Sequence, residues 1–418
     1  MKNIHLTVCF SLLINSFGCL ENTISTDLNN PSMRHDTLSV SSITAYNYQT
    51  PPNLGNSTLL YLGRDSSGFE NPFAIFKVQS NSINSPETFD TMMDSTVNID
   101  SAKFILTLNN DTIETGMIFD LYYFPNSGDS IFNETNSNYL NLNENDLNPV
   151  YISSSRLFQI TPDSNETIFP TVSFNVLNII HSFIDSSNID QNKTLMVKSK
   201  FDLSDVLSFK SSESGFAFAP KLQIFTHDTT YLDSTSDSIS VDTLMHEFIS
   251  TDDLSIIIPP SVDTTPGLLT LGRGLAYKGL IEIPNLDSML SPLPIQSIIT
   301  KAELSFYYPF DSTESNFYLQ VQPVLDTIQY GELQGVLLDD PIDVIPNILP
   351  VVNISDNGKV SLNIREYLQL IYFGYVSNYG LKLEVINTSS PFNLYSIFAD
   401  TSVLDSLNPE LFIQYVSP

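Results

Sequence analysis

Positive charge is scarce in this chain: 17 Lys and Arg stand against 47 Asp and Glu, for a formal charge of −30 and a pI near 4.1. A surface so poor in cations excludes a nucleic-acid binder that grips phosphates through basic residues. Charged residues of both signs reach only 15% of 418, below the roughly 25% of average soluble domains, so Asn, Ser and Thr supply much of the polar surface. Tryptophan is absent, and the 2 cysteines are Cys9 and Cys19. Cys9 lies inside an apolar N-terminal run, so a chain shorn of that run has no cysteine pair to oxidise. Histidine is also sparse and scattered, at His5, His35, His181, His227 and His246. Without H-E-x-x-H, G-x-S-x-G or a P-loop, the chain has no signature for zinc hydrolysis, Ser-His catalysis or nucleotide binding. A glycosidase needs only two carboxylates, which 47 acids leave open, but the expectation is a non-catalytic protein. What is abundant is apolar: 42% hydrophobic residues, with 27 Phe and 19 Tyr, are too many for disorder and enough for more than one core.

The N-terminus reads as a secretory signal over residues 1–18. A short basic start precedes the run Ile4 to Phe17, about fourteen residues and shorter than the roughly 20 of a spanning helix. It ends Ser16-Phe17-Gly18-Cys19, which resembles a bacterial lipobox with cleavage after Gly18 and lipid on Cys19. Ser16 stands where such boxes usually carry Leu, and Phe17 where they carry a small residue. A plain signal peptide with an incidental cysteine is the alternative. Acyl chains contribute roughly 0.8 kcal/mol per buried CH2, so two or more would make attachment essentially permanent. Residues 19–35 are polar and broken by Pro31, as a flexible tether would be. The expected location is the bacterial outer membrane or cell surface.

The rest of the chain repeats itself. Asp36-Thr37-Leu38 is answered by Asp242-Thr243-Leu244, and Leu59-Leu60-Tyr61-Leu62-Gly63-Arg64 by Leu268-Leu269-Thr270-Leu271-Gly272-Arg273. Phe73-Ala74-Ile75-Phe76 matches Gly279-Leu280-Ile281-Glu282-Ile283 loosely, and Ile99 to Phe104 matches Ile299 to Leu304 closely. Val172-Ser173-Phe174-Asn175 and Val360-Ser361-Leu362-Asn363 follow, and Pro220-Lys221-Leu222-Gln223-Ile224 and Pro409-Glu410-Leu411-Phe412-Ile413 close the two units. Apolar residues at Ala102, Phe104, Leu106 and Leu108, and again at Ala302, Leu304, Phe306 and Tyr308, have the period of half-buried strands. After Asn175 and Asn363 the spacing becomes i, i+3, i+4, i+7, i+8, which predicts one short amphipathic helix per unit with Asn near its N-cap. The predicted fold is all-β: two tandem β-sandwich, jelly-roll-like domains at 36–227 and 242–418, joined by a linker at 228–241 rich in Asp, Ser and Thr.

This order of motifs resembles the bacterial DNRLRE-type, disaggregatase-related jelly-roll modules, which are grouped with carbohydrate-binding modules. The helix of those modules usually carries a Trp, absent here, and the stretch that names them is not visible. A second likeness is to surface lipoproteins of Bacteroidetes-like bacteria, which pair a relaxed lipobox with tandem β-domains. The resemblance implies a non-catalytic envelope lipoprotein that binds surface glycans or mediates attachment. The rivals are a structural or assembly lipoprotein binding envelope proteins and a carbohydrate-active enzyme. Neither likeness assigns a ligand-binding residue. Arg64 and Arg273 hold equivalent places, and an Arg paired with an acid to fix a loop is the plainer role for both. Gly63 and Gly272 read as bends or bulges. Tyr122-Tyr123-Phe124 and Phe306-Tyr307-Tyr308 could stack on sugars, but alternate members should face the core. No metal ligand set is assigned; structural calcium is suspected at Asp339-Asp340-Pro341-Ile342-Asp343 and along 228–242, against a reading of both as solvated loops.

Overall fold

The computed structural model describes residues 33–85, 88–89, 92, 97–109, 117–125, 131–142, 147–157, 169–183, 193–200, 206–231, 239–261, 268–307, 317–354, 358–386, 390–398 and 408–418. Gly18, Cys19 and the rest of the signal lie outside them. In chain order the elements are β1 (Arg34–Val40), β2 (Thr44–Gln49), β3 (Leu59–Arg64), β4 (Glu70–Asn71), β5 (Phe73–Val78), β6 (Val97–Thr107), β7 (Ile118–Tyr123), β8 (Val150–Arg156), β9 (Thr171–Asn175), α1 (Ile180–Phe183), β10 (Lys193–Ser199), β11 (Leu207–Lys210), β12 (Lys221–Tyr231) and β13 (Ile239–Ser255). They continue with β14 (Leu268–Leu271), β15 (Tyr277–Glu282), α2 (Leu286–Leu290), β16 (Ile298–Tyr307), β17 (Phe317–Pro323), β18 (Val352–Ile354), β19 (Lys359–Asn363), α3 (Arg365–Tyr372), β20 (Leu381–Ile386), β21 (Tyr395–Phe398) and β22 (Glu410–Ser417). The fold is all-β with antiparallel sheets, and no helix among the described residues is long and apolar enough to cross a membrane.

Two sandwiches repeat one pairing order. The first faces β13-β12-β6-β9 against β13-β5-β10-β7-β8, and the second faces β1-β22-β16-β19 against β2-β15-β20-β17-β18. In each, a four-stranded antiparallel order faces a five-stranded one. The period-two residues fill the cores: Ala102, Phe104 and Leu106 are buried while Lys103 is exposed, and Phe104 meets Phe76 of the opposite sheet with ring centroids 5.3 Å apart. Ala302 and Leu304 do the same in the second core, with Ile281, Leu383 and Ile413. Helical structure follows each predicted Asn, as a 3-10 turn Leu177–Ile179 running into α1 in the first unit and directly as α3 in the second. Asn175 Oδ1 accepts the Leu177 amide at 3.0 Å and Asn363 Oδ1 the Arg365 amide at 3.1 Å, relieving orphan donors of the first turn. Even the approach is duplicated, Val176 N donating to Ala102 O and Ile364 N to Ala302 O, each at 3.0 Å. The second unit departs from one helix per unit, since α2 adds a turn whose Leu286 and Leu290 enter the core.

Strand pairing crosses the expected boundary between 36–227 and 242–418. β13, the opening strand of the second repeat, pairs with β12 and β5 of the first, while β1 and β2 pair with β22 and β15 of the second. The first repeat thus gives β1 and β2 to the second sandwich, and the second gives β13 to the first. The reason is local at one end: β12 and β13 form a hairpin, from Lys221 opposite Ile249 out to Tyr231 opposite Ile239. The expected linker 228–241 is therefore strand at both ends. β13 then serves two sheets by a register shift between Ser250 and Asp252, the kink of a bulge. Arg34 and His35, assigned to the tether, already belong to β1.

The pairings also refine the sequence alignment. Leu222 faces Phe248 while its equivalent Leu411 faces Val40, so Asp36-Thr37-Leu38 and Asp242-Thr243-Leu244 are out of structural register by two residues. A slip of two leaves every side chain on its face, which is why the motif match survives it. Ala74 opposite Val197 corresponds to Gly279 opposite Leu383, so the loose match starting at Phe73 begins instead at Lys278.

Candidate functional site

The strand exchange makes the backbone cross between sandwiches, and a cleft of about 580 Å³ opens at the crossing. Its walls are the β2–β3 connection, the β14–β15 turn, β20 and Pro391, and its polar lining includes Asn53, Asn56, Arg273, Tyr277, Lys278 and Glu384. That volume lies within the roughly 300–1,000 Å³ of small-ligand sites. Beneath it an apolar cluster of Leu54, Tyr61, Phe69, Ile257, Leu275 and Phe392 draws on both sandwiches, with Phe392 edge-on to Tyr61 at 5.2 Å. The β14–β15 turn is pinned by Gln49 Nε2 donating to Leu275 O at 2.9 Å and by Gly274 N donating to Pro391 O at 2.8 Å. Gly274 is required there, because a Cβ would lie 2.4 Å from the Pro391 carbonyl.

Arg273 and Arg64 part company in the structure. Arg64 forms an ion pair with Glu70 across β3 and β4, both side chains largely exposed. Arg273 has no carboxylate partner among the described residues and lines the cleft near Tyr61. Burial pushes the Tyr61 hydroxyl up, and the Arg273 charge opposes part of that rise. The two glycines differ likewise. Gly63 has φ 109°, a left-handed conformation at the end of β3, whereas Gly272 lies in the cleft wall. Glu384 is the one carboxylate among the described cleft-lining residues, and Lys278 Nζ stands 3.6 Å from it.

Asp340, suspected of binding calcium, is occupied by the protein. Its Oδ2 takes the ammonium groups of both Lys278 and Lys382, and its Oδ1 takes the Tyr48 hydroxyl at 3.0 Å and the Ile342 amide at 3.1 Å. Burial raises its proton affinity, but the lysine hydrogen bonds and charges outweigh that and hold the carboxyl below its ordinary value. The side chains at 228–242 lie outside the described residues.

Of the aromatic runs, Tyr123, Phe124 and Phe306 are buried and Tyr122 and Tyr307 half-buried, while Tyr308 lies outside the described residues. The histidines do not converge. His246 is buried between Thr226 Oγ1 at 2.9 Å and Ser85 Oγ at 3.1 Å, and His227, within β12, meets Asp100 at 2.6 Å. Sequence reasoning missed an exposed aromatic step at the end of α3, where Phe373 and Tyr375 are 53% and 77% exposed with rings 6.1 Å apart. Its signal was Tyr372-Phe373-Gly374-Tyr375, where the helical spacing stops and Gly374 turns the chain with φ 72°. It also missed a group of acids on the first sandwich, Glu134, Glu213 and Asp253, whose carboxylate oxygens lie within 4.8 Å of one another. No known protein family, curated protein or solved structure matches the chain.

Proposed function

We propose that the protein is a non-catalytic lipoprotein of the bacterial cell envelope, anchored by lipid on Cys19, that binds a neutral glycan in the cleft between its sandwiches. The observation that carries this reading is the cleft itself. Asn56 and Arg273 bring planar hydrogen-bonding groups to one cavity beside Tyr277, the combination that sugar hydroxyls and a pyranose face require. A net charge of −30 disfavours anionic polysaccharides, so the ligand class is neutral.

The test is a glycan array probed with residues 33–418, followed by titration of Arg273→Ala and Arg64→Ala. Selective binding that falls at least tenfold in Arg273→Ala and is unchanged in Arg64→Ala is expected. Equal effects of the two substitutions would remove the cleft from the proposal. The exposed Phe373 and Tyr375 step favours a second reading, attachment to an envelope protein, because apolar surface left in water marks contact sites. A blank array would turn the search to that surface.

A further inference from the structure

We infer that Glu134, Glu213 and Asp253 form a calcium site on the first sandwich, independent of what the cleft binds. The three acids come from three segments: the β7–β8 connection, the single helical turn Ser212–Ser214 between β11 and β12, and β13 just past its bulge. One carboxylate oxygen from each lies within 4.8 Å of the others. Oxygens bound to one Ca2+ at roughly 2.3–2.6 Å are at most about 5 Å apart, so one ion can touch all three.

Asp253 is the second observation. It is 0% exposed, its Oδ2 accepts the Ser212 amide at 2.8 Å, and its Oδ1 has no hydrogen-bond partner among the described residues. Glu134 is half-buried beside it, its Oε1 accepting the Asp253 amide at 3.0 Å. The cation near this group is Lys77, and Asp252 engages it at 2.6 Å. Among the described residues, Glu134 and Asp252 therefore share the charge of Lys77. Burial first, and then the charges of Glu213 and Glu134, push the Asp253 carboxyl well above the ordinary range. A buried carboxylate in that position must either hold a proton or take up a cation. The group offers oxygen alone, with no His or Cys, which selects a hard ion. Three independent segments suit the adaptable shell of calcium better than the strict octahedron of magnesium.

The second sandwich is the internal control. Ala45 faces Ile281 where Asp253 faces Phe76, so the buried acid has no equivalent there. The site would also fasten the cleft wall. Asn53 Nδ2 donates to the Glu134 and Ser137 carbonyls at 2.9 and 2.8 Å, and Ser214 Oγ donates to Thr58 O at 2.6 Å. Gly55 packs so closely on the Glu134 carbonyl that a Cβ would lie 2.0 Å from it.

The experiment titrates CaCl2, with MgCl2 in parallel, into metal-stripped residues 33–418 with no glycan present, read by calorimetry and by melting temperature. One saturable Ca2+ per chain, a raised melting temperature and weaker Mg2+ binding are expected. Asp253→Asn should abolish the calcium response while melting, without metal, at or above the temperature of the unaltered chain, which shows that it folds. Glu213→Gln should weaken calcium at least tenfold. No saturable binding at concentrations about tenfold above the 10⁻³ M of the weakest extracellular sites would overturn the inference. So would an Asp253→Asn variant that still responds to calcium. Because no glycan enters the experiment, its failure leaves the cleft proposal standing.

Discussion

In the second sandwich the β17–β18 connection brings Asp340 down onto Lys278, Lys382 and Tyr48; in the first, the equivalent β7–β8 connection brings Glu134 down onto another acid, Asp253. The underlying sheets share one pairing order, and their registers place Lys278 where Phe73 stands and Lys382 where Met196 stands. Around Phe73 and Met196 the first sandwich seals this outer face with Ile75, Phe124, Phe132, Leu142, Leu254 and Ile256. The second uses a smaller apolar set, Tyr48, Leu280, Val324 and Ile342, with a buried ion network beside it. One backbone plan thus tolerates two ways of covering a sheet. The apolar one needs no charge balance, but the acids at its edge lack the lysines that neutralise Asp340.

The comparison can be broken most drastically by cutting the chain. Residues 36–227 keep β1 and β2 without their partners and lose β13, so this piece should fail to melt cooperatively, whereas residues 50–261 retain β3 to β13 and should fold. Circular dichroism melts of the two pieces decide the matter, and a cooperative 36–227 would refute the strand exchange. The next largest effect belongs to the ion network. Asp340→Ala leaves two largely buried lysines facing each other and should cost about 3–5 kcal/mol in urea unfolding. Adding Lys278→Phe and Lys382→Met, the residues of the first sandwich, should recover most of that loss.

The smallest effect, and the finest test, is the pH dependence in chelator. Asp253 and Glu134 have raised folded pKa values, so the stability they contribute is full below their ordinary range, 3.8 for Asp, and is lost as pH rises through the folded values. Asp340 has a lowered one, so its contribution is present above 3.8 and is lost as pH falls through the folded value. Stability curves of Asp253→Asn and Asp340→Asn should therefore deviate from the parent in opposite directions, the first gaining most at neutral pH and the second losing most there. Parallel curves would show that the two loop acids sit in equivalent environments.

Much of the fold was legible because it is written in short-range periods. Period two marked β6 and β16 and put Ala102 and Ala302 inside; Asn175 and Asn363 announced their helices; and the closing motifs hold residue for residue, Leu222 opposite Phe104 as Leu411 is opposite Leu304. The segment 228–241 misled because Asp, Ser and Thr suggest a loop by composition, yet a hairpin is held by backbone hydrogen bonds that any side chain permits. Arg64 and Arg273 looked alike because equal sequence places do not fix equal neighbours: one has Glu70 beside it, the other faces the cleft. The acid group could not be read at all. Glu134 and Glu213 come from connections outside the regular strands, and Asp253 became buried only because β13 lies against β5.

The sequence by itself determined the all-β character, the duplicated order of elements, the faces that turn inward and the helix starts, since each depends on residues a few positions apart. Only the tertiary structure decided which sandwich each opening strand joins, which Arg meets a carboxylate and which acids gather into one group. Those outcomes rest on pairings between segments far apart in the chain, where register and burial, rather than residue type, set the energy of a charge.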